Sequence, residues 1–212
     1  VLRSAVFTLA GVLALQIPQA DAAPGATVTI TVAAVSANGE PANGYQVVNR
    51  QSSPNLWACP APSPAAVGAN IYSCEPAQAA AEVCWPASAF VLCLADPWSK
   101  GLRRFAKPGA LPAVDPPPVP MPFAMQLEDG TRCILPNGID WGARADDMVP
   151  VYGCNPGKTS MGVLVAAGAD PVSAIDRSGP VWIVRVGELG PRDTPFEPPR
   201  RRAVTTAWFA GN

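Results

Sequence analysis

Six cysteines, Cys59, Cys74, Cys84, Cys93, Cys133 and Cys154, carry the most definite chemistry in this 212-residue sequence, and no histidine accompanies them. Imidazole is the usual base near neutral pH and the commonest metal ligand. Its absence excludes Ser-His-Asp and Cys-His nucleophilic sites and every His-containing zinc site. An all-cysteine metal site needs closely spaced Cys-x-x-Cys pairs, whereas every interval between successive cysteines here is nine residues or more. A redox role needs an exposed thiolate of lowered pKa, in Cys-x-x-Cys or beside a cation. What is left is structural cystine, so three disulfides in an oxidising compartment are expected, with no metal and no cofactor. Six cysteines allow fifteen connectivities. Nearest-neighbour pairing, Cys59–Cys74, Cys84–Cys93 and Cys133–Cys154, is expected because each pair lies on segments that read as successive strands. Each such loop contributes about 3 kcal/mol on a chain-entropy model.

Other groups could also do chemistry. Glycoside hydrolysis needs two carboxylates, one protonated and one ionised, and Glu128, Asp129, Asp140, Asp146 and Asp147 are the candidates. Asp129-Gly130 nevertheless reads as a hairpin turn, and Asp146-Asp147 as an exposed loop before a strand. Ser99 beside Lys100, and Ser160 near Lys158, leave a Ser-Lys nucleophile open, although adjacent residues on a strand face opposite ways. The run Gly153-Cys154-Asn155-Pro156-Gly157-Lys158-Thr159 is one residue short of a phosphate-cradling loop, and Pro156 removes an N–H, so it reads as a polar turn. Trp57, Trp85, Trp98, Trp141, Trp182 and Trp208 could contact a sugar or a partner protein through amphipathic rings. Core packing claims most of them, Trp182 above all. Trp98, after Asp-Pro, and Trp141, in a glycine-rich loop, are the expected surface contacts. Arg200-Arg201-Arg202, with Arg103-Arg104 earlier, could bind envelope phosphates or anionic glycans bidentately. A solvated lead-in to the last strand is the plainer reading of that triplet.

The elements that must position these groups are short and β-like. Residues 1–22 combine Arg3, an apolar run from Ala5 to Leu15 and the triplet Ala20-Asp21-Ala22, which reads as a secretory signal peptide cleaved after Ala22. The apolar run is too short to span a bilayer, so no transmembrane span is expected, and no cysteine near the cleavage site suggests a lipid anchor. A flexible or edge-strand mature N-terminus follows at 23–44, with β-branched alternation from Thr27 to Val32 and turns at Asn38-Gly39 and Asn43-Gly44. A first β unit spans 45–107, with strands at 46–49, 56–59, 70–74 and 90–94 and a short helix at 76–83. Residues 108–122 hold seven prolines and form a polyproline linker or strap. A second unit, 123–212, has strands at 123–127, 131–135, 149–154, 162–166, 181–186 and 203–209. The halves echo each other: Tyr72-Ser73-Cys74-Glu75-Pro76 matches Tyr152-Gly153-Cys154-Asn155-Pro156, and Val91-Leu92 to Asp96-Pro97 matches Val163-Leu164 to Asp170-Pro171. The expected fold is mostly β: two similar disulfide-stapled antiparallel units, sandwich or small-barrel-like, joined by a Pro-rich strap.

The runs Cys84-Trp85, Val91-Leu92-Cys93-Leu94-Ala95-Asp96-Pro97-Trp98, Phe123 to Cys133 and Val151-Tyr152-Gly153-Cys154 resemble small exported cysteine-containing proteins of mycobacteria and related actinobacteria. The resemblance covers roughly Trp57 to Trp208 and implies an envelope or extracellular location; it supplies no catalytic residue. With 15 basic against 16 acidic residues, bulk electrostatics select neither nucleic acid nor an anionic membrane surface. The functional expectation is an exported, non-catalytic binding module whose partner is an unknown envelope glycan or protein. A glycan hydrolase with paired carboxylates and a structural or inhibitor-like secreted protein are the alternatives.

Overall fold

In a computed structural model, which describes residues 25–48, 55–76, 81–94, 96–135, 144–154, 161–191 and 194–212, the chain forms two β-sheets. Strand β1 (Val28–Val32) opens it. The first half supplies β2 (Gln46–Val47), β3 (Ala58–Pro62), β4 (Tyr72–Glu75), β5 (Cys84–Pro86), β6 (Phe90–Leu94) and β7 (Gly101–Ala106). Strands β3 to β7 make an antiparallel meander, and β2 adds in parallel along β7. The second half supplies β8 (Ala124–Leu127), β9 (Arg132–Ile134), β10 (Met148–Cys154), β11 (Met161–Ala166), β12 (Ile175–Asp176), β13 (Trp182–Glu188) and β14 (Arg200–Ala210). Each of β8, β9, β10, β11, β13 and β14 pairs with the next, and β14 pairs back onto β8, closing a six-stranded barrel. Closure removes the free sheet edges that would otherwise invite aggregation. No α-helix occurs among the described residues.

The expected mostly β fold of two disulfide-stapled units is what forms, with all three disulfides paired between nearest neighbours. Cys84 lies directly opposite Cys93, and Cys133 opposite Cys154, in antiparallel register; Cys59–Cys74 crosses a bulge between β3 and β4. The matched tyrosines play matched roles. Tyr72 Oη donates to the Pro112 carbonyl at 2.8 Å and Tyr152 Oη to the Pro122 carbonyl at 2.9 Å, so each unit fastens one end of the strap. Both Asp-Pro steps start a turn, Asp96 accepting from Trp98 and Ser99 N–H, and Asp170 from Val172 N–H. The units differ in closure: the first stays an open sheet.

The strap is packed. Val114 O accepts from Asn70 N–H at 2.9 Å, and Met121 N–H donates to Pro64 O at 2.8 Å. Proline offers no N–H, and side chains satisfy three of the strap's proline carbonyls: Pro112 from Tyr72, Pro120 from Arg177 and Pro122 from Tyr152. Beneath the strap lies a small core of Leu56, Tyr72, Val91, Phe105 and the two cystines of the first unit, with Leu111 and Val114 packed on it. The main core joins Trp85, Leu92 and Leu102 of the open sheet to Met125, Tyr152 and Val184 of the barrel. This explains the continuous apolar run of β6: Val91 and Cys93 enter the small core, Leu92 and Leu94 the main one, so both faces are buried.

Several local expectations change. The arginine triplet belongs to β14 itself, since residues 200–202 pair with β13 at Val186, Arg185 and Val184. Strands β5 and β7 were not expected, because three residues are too few to show a period and Arg103-Arg104 masks the alternation in β7. Ser99 and Lys100 sit in a loop, with Lys100 at φ 50°, rather than on a strand. Half of the expected helix at 76–83, residues 77–80, lies outside the described residues, and 81–83 are not helical.

Two predictions follow from this packing. Tyr152→Phe leaves the buried Pro122 carbonyl without a donor and should cost about 1–3 kcal/mol in urea unfolding. Beside the small core, burial pushes the Glu82 carboxyl up to about 7 despite the nearby Arg103 guanidinium. A folded pKa above the unfolded one favours the protonated form, so this contribution is complete below pH 4.5 and is lost as pH rises through about 7. The lowered pKa values of Asp129, Asp146 and Asp176 act on the acid side, where stability is lost as pH falls below their ordinary 3.8. Between pH 4.5 and 8 urea unfolding should therefore show a decline approaching about 3 kcal/mol, and Glu82→Gln should flatten it.

Candidate functional site

Between β1 and β2 the chain crosses from the barrel to the open sheet as an arm of residues 33–45. Val35 bridges Pro41, Ala42 N–H donates to Ala34 O at 2.9 Å, and Gly39 N–H donates to Ser36 O at 2.9 Å. Gly39, at φ 78°, ends this turn with its Cα so close to Ala87 that a Cβ would stand 2.8 Å from the Ala87 Cα. Only glycine fits there, and the fit rests the tip of the arm on the open sheet. Asn43 (φ 52°) and Gly44 (φ 80°) then turn the chain so that Gln46 N–H reaches Lys100 O and β2 begins.

Under the arm is a half-open cleft of about 520 Å³. Its walls are small and apolar: Ala33, Val35, Ala37, Ala42, Ala69 and Pro86. Three carboxamides line it, Asn43, Asn70 and Asn212, with Trp85 at its base. Each amide spends one end on structure. Asn43 Nδ2 donates to Ala33 O at 2.7 Å and Asn212 Nδ2 to Ala69 O at 2.9 Å, while Asn70 Oδ1 accepts from Val114 N–H at 3.3 Å and lies 3.3 Å from Tyr72 Oη, whose single proton goes to Pro112 O. This leaves both N–H groups of Asn70, one N–H each of Asn43 and Asn212, and two acceptors, Asn43 Oδ1 and Asn212 Oδ1, without a partner among the described residues, beside the Ser36 hydroxyl, which accepts from Glu40 N–H. Among the described residues no Asp, Glu, Lys or Arg lines the cleft. Its amides and small walls can bind a neutral molecule.

The residues singled out from the sequence lie elsewhere. Trp98 is half-buried where the two units meet, edge-on to Trp208 with ring centroids 5.6 Å apart and under the Arg132 guanidinium at 5.0 Å. Trp141 and Asp140 fall outside the described residues, as do Lys158 and the turn around it. Arg200 and Arg202 line a smaller cleft of about 230 Å³ with Met161, Val186, Glu188 and Glu197, so its charges balance. Arg202 is also near Glu128 (3.7 Å) and Asp129 (3.8 Å), and Arg201 is 3.7 Å from Asp176.

Three of the five candidate acids, Glu128, Asp129 and Asp146, are thus arginine partners. Asp146 is gripped by buried Arg144 through Nε and Nη2, with 2.7 Å to Oδ2, and this holds its carboxyl below the usual range. The same arginine donates to the carbonyls of Glu188 and Glu197, tying the loop after β13 to the start of β10. Asp147 is an exposed turn residue at φ 56°. Among the described residues no group of three or more Cys, Asp or Glu is placed to hold a metal.

Tryptophan burial departs from expectation. Trp182 is half-buried, edge-on to Phe209, while Trp85 is the one buried to 2% exposure. Trp57 is the most exposed among the described tryptophans, at 68%, with its Nε1 donating to Glu75 Oε2 at 2.9 Å. The cleft asparagines carried a sequence signal only in part: Asn43-Gly44 was legible as a turn, but nothing local marks Asn70 or Asn212 as its neighbours.

In comparisons with known proteins, no family model, no curated protein and no solved structure matches this chain.

Proposed function

We propose that this protein is an exported, non-catalytic binding module of the cell envelope or extracellular space, with its ligand seated in the cleft beneath the 33–45 arm. The observation that carries the reading is the lining of that cleft: small apolar walls, three carboxamides and the Ser36 hydroxyl, with no ionisable side chain among the described residues. Clefts of about 300–1,000 Å³ with apolar walls and a few placed polar groups, at the junction of two structural units, are the usual form of small-ligand sites. Export is supported by the signal-like residues 1–22 and by three disulfides, which fit an oxidising compartment. Among the described residues no helix is long and apolar enough to cross a membrane. Neutralisation of Glu128, Asp129 and Asp146 by arginines weighs against the glycan-hydrolase alternative.

Co-sedimentation of the mature chain, residues 23–212, with an isolated cell-envelope preparation tests this. Retention is expected with no release of new reducing ends, and Ala37→Trp, on the exposed turn of the arm, should reduce retention at least fivefold while the circular dichroism spectrum is unchanged. Release of reducing ends would point to hydrolysis, and retention insensitive to Ala37→Trp would remove the cleft from the account.

A further inference from the structure

The chemistry of the ligand can be read from the same cleft, and this inference rests on the binding reading above. We propose that the cleft takes a neutral sugar bearing an acetamido group.

Neutrality follows from the lining, since a charged ligand entering a cleft with no opposite charge would lose hydration without compensation. The polar inventory narrows the class. Asn70 Nδ2 has both its N–H groups free to meet a carbonyl, with one more N–H on each of Asn43 and Asn212, while Asn43 Oδ1 and Asn212 Oδ1 are acceptors for N–H or O–H groups and the Ser36 hydroxyl can serve as either. An acetamido group carries a C=O, an N–H and a methyl on one rigid plane. Its two polar ends match the amides, and its methyl matches methyl-sized walls at Ala33, Ala37, Ala42 and Ala69.

Two competing classes fit less well. An extended peptide joins a protein by adding to a free strand edge, but the backbone acceptors bordering this cleft are already in use: Ala33 O by Asn43, Ala34 O by Ala42, Ala69 O by Asn212. Sugars without acetamido groups are commonly held by stacking on an exposed aromatic face. The aromatic residue here, Trp85, is only 2% exposed, and its Nε1 is committed to Gly211 O at 2.9 Å. With little ring face to stack on, discrimination must come from hydrogen bonds and methyl contacts, which a plain hexose provides only in part.

The matched pair N,N′-diacetylchitobiose and cellobiose isolates the acetamido group, because the two share a β-1,4-linked glucose scaffold. In NMR titrations of the ¹⁵N-labelled mature chain, diacetylchitobiose should shift the amides of residues 33–43 and Asn70, with a Kd at least tenfold below that for cellobiose. Asn70→Asp keeps the oxygen that accepts from Val114 N–H and replaces the free N–H donors by an acceptor; it should weaken diacetylchitobiose at least tenfold with amide dispersion unchanged. Equal affinity for the two sugars, or binding untouched by Asn70→Asp, would overturn the proposal. If neither sugar shifts these amides but the blocked dipeptide N-acetyl-Ala-Ala-amide does, the sugar assignment fails and the cleft stands as a binding site. If none of the three shifts them, both fail.

Discussion

An eleven-residue strand has backbone donors and acceptors along two edges, and β14 satisfies them by changing partners along its length. Residues 200–204 pair with β13, 204–208 with β8 on the other edge, and 206–210 with β1 in parallel. The first pairing closes the barrel and the third docks the strand that leads into the arm. At its end the strand also reaches the first unit: Ala210 N–H donates to Ala65 O, Val67 N–H to Ala210 O and Trp85 Nε1 to Gly211 O, while Gly211 N–H still donates to Val32 O of β1. Gly211 packs against the Thr31 side chain so closely that no Cβ would fit, which is why the chain can pass between β1 and the 65–67 segment. One strand therefore closes the second unit, anchors the arm and fastens the first unit to both.

The cleft is a by-product of that joint. Its lining comes from the arm, from residues 69–70 and 85–86 of the open sheet, and from Asn212 just past β14. These segments are brought together only because β14 and β1 lie side by side and run into the open sheet together. The apolar packing follows the same division. The main core is continuous across both halves, while the small core under the strap is stapled by Cys59–Cys74 and Cys84–Cys93. Small cores bury too little apolar surface to be stable alone, and loops closed by disulfides lower the entropy of the unfolded chain, by about 3 kcal/mol each. The barrel, with the larger core, carries the one remaining bridge, Cys133–Cys154.

What could be read from the sequence was whatever is encoded locally. The even cysteines, the alternation at 27–32, the Asp129-Gly130 turn and the proline run each carry their physics within a few residues, and each forms as read. The Tyr-x-Cys repeat was legible too, though its meaning, two hydroxyls fastening one strap, needed coordinates. Contacts distant in sequence were not legible. Trp85 and Trp98 both precede or follow proline in apolar surroundings, yet one is sealed by Gly211, 126 residues away, and the other lies half-buried against Trp208. The arginine triplet looked like a solvated lead-in because no sequence rule states that Val184 and Val186 will lie across from it. The cleft was least legible of all, because its asparagines are ordinary turn and loop residues until three separate segments converge.

The central claim is that β14 and the segment after it make the two units one cooperative structure. Urea unfolding followed by NMR at two sites, the Leu92 amide in β6 and the Val184 amide in β13, tests it most directly, since coincident transitions are the signature of a single cooperative unit. The account predicts one shared midpoint for both amides. Two separated midpoints, with β6 lost while β13 stays folded, would contradict it.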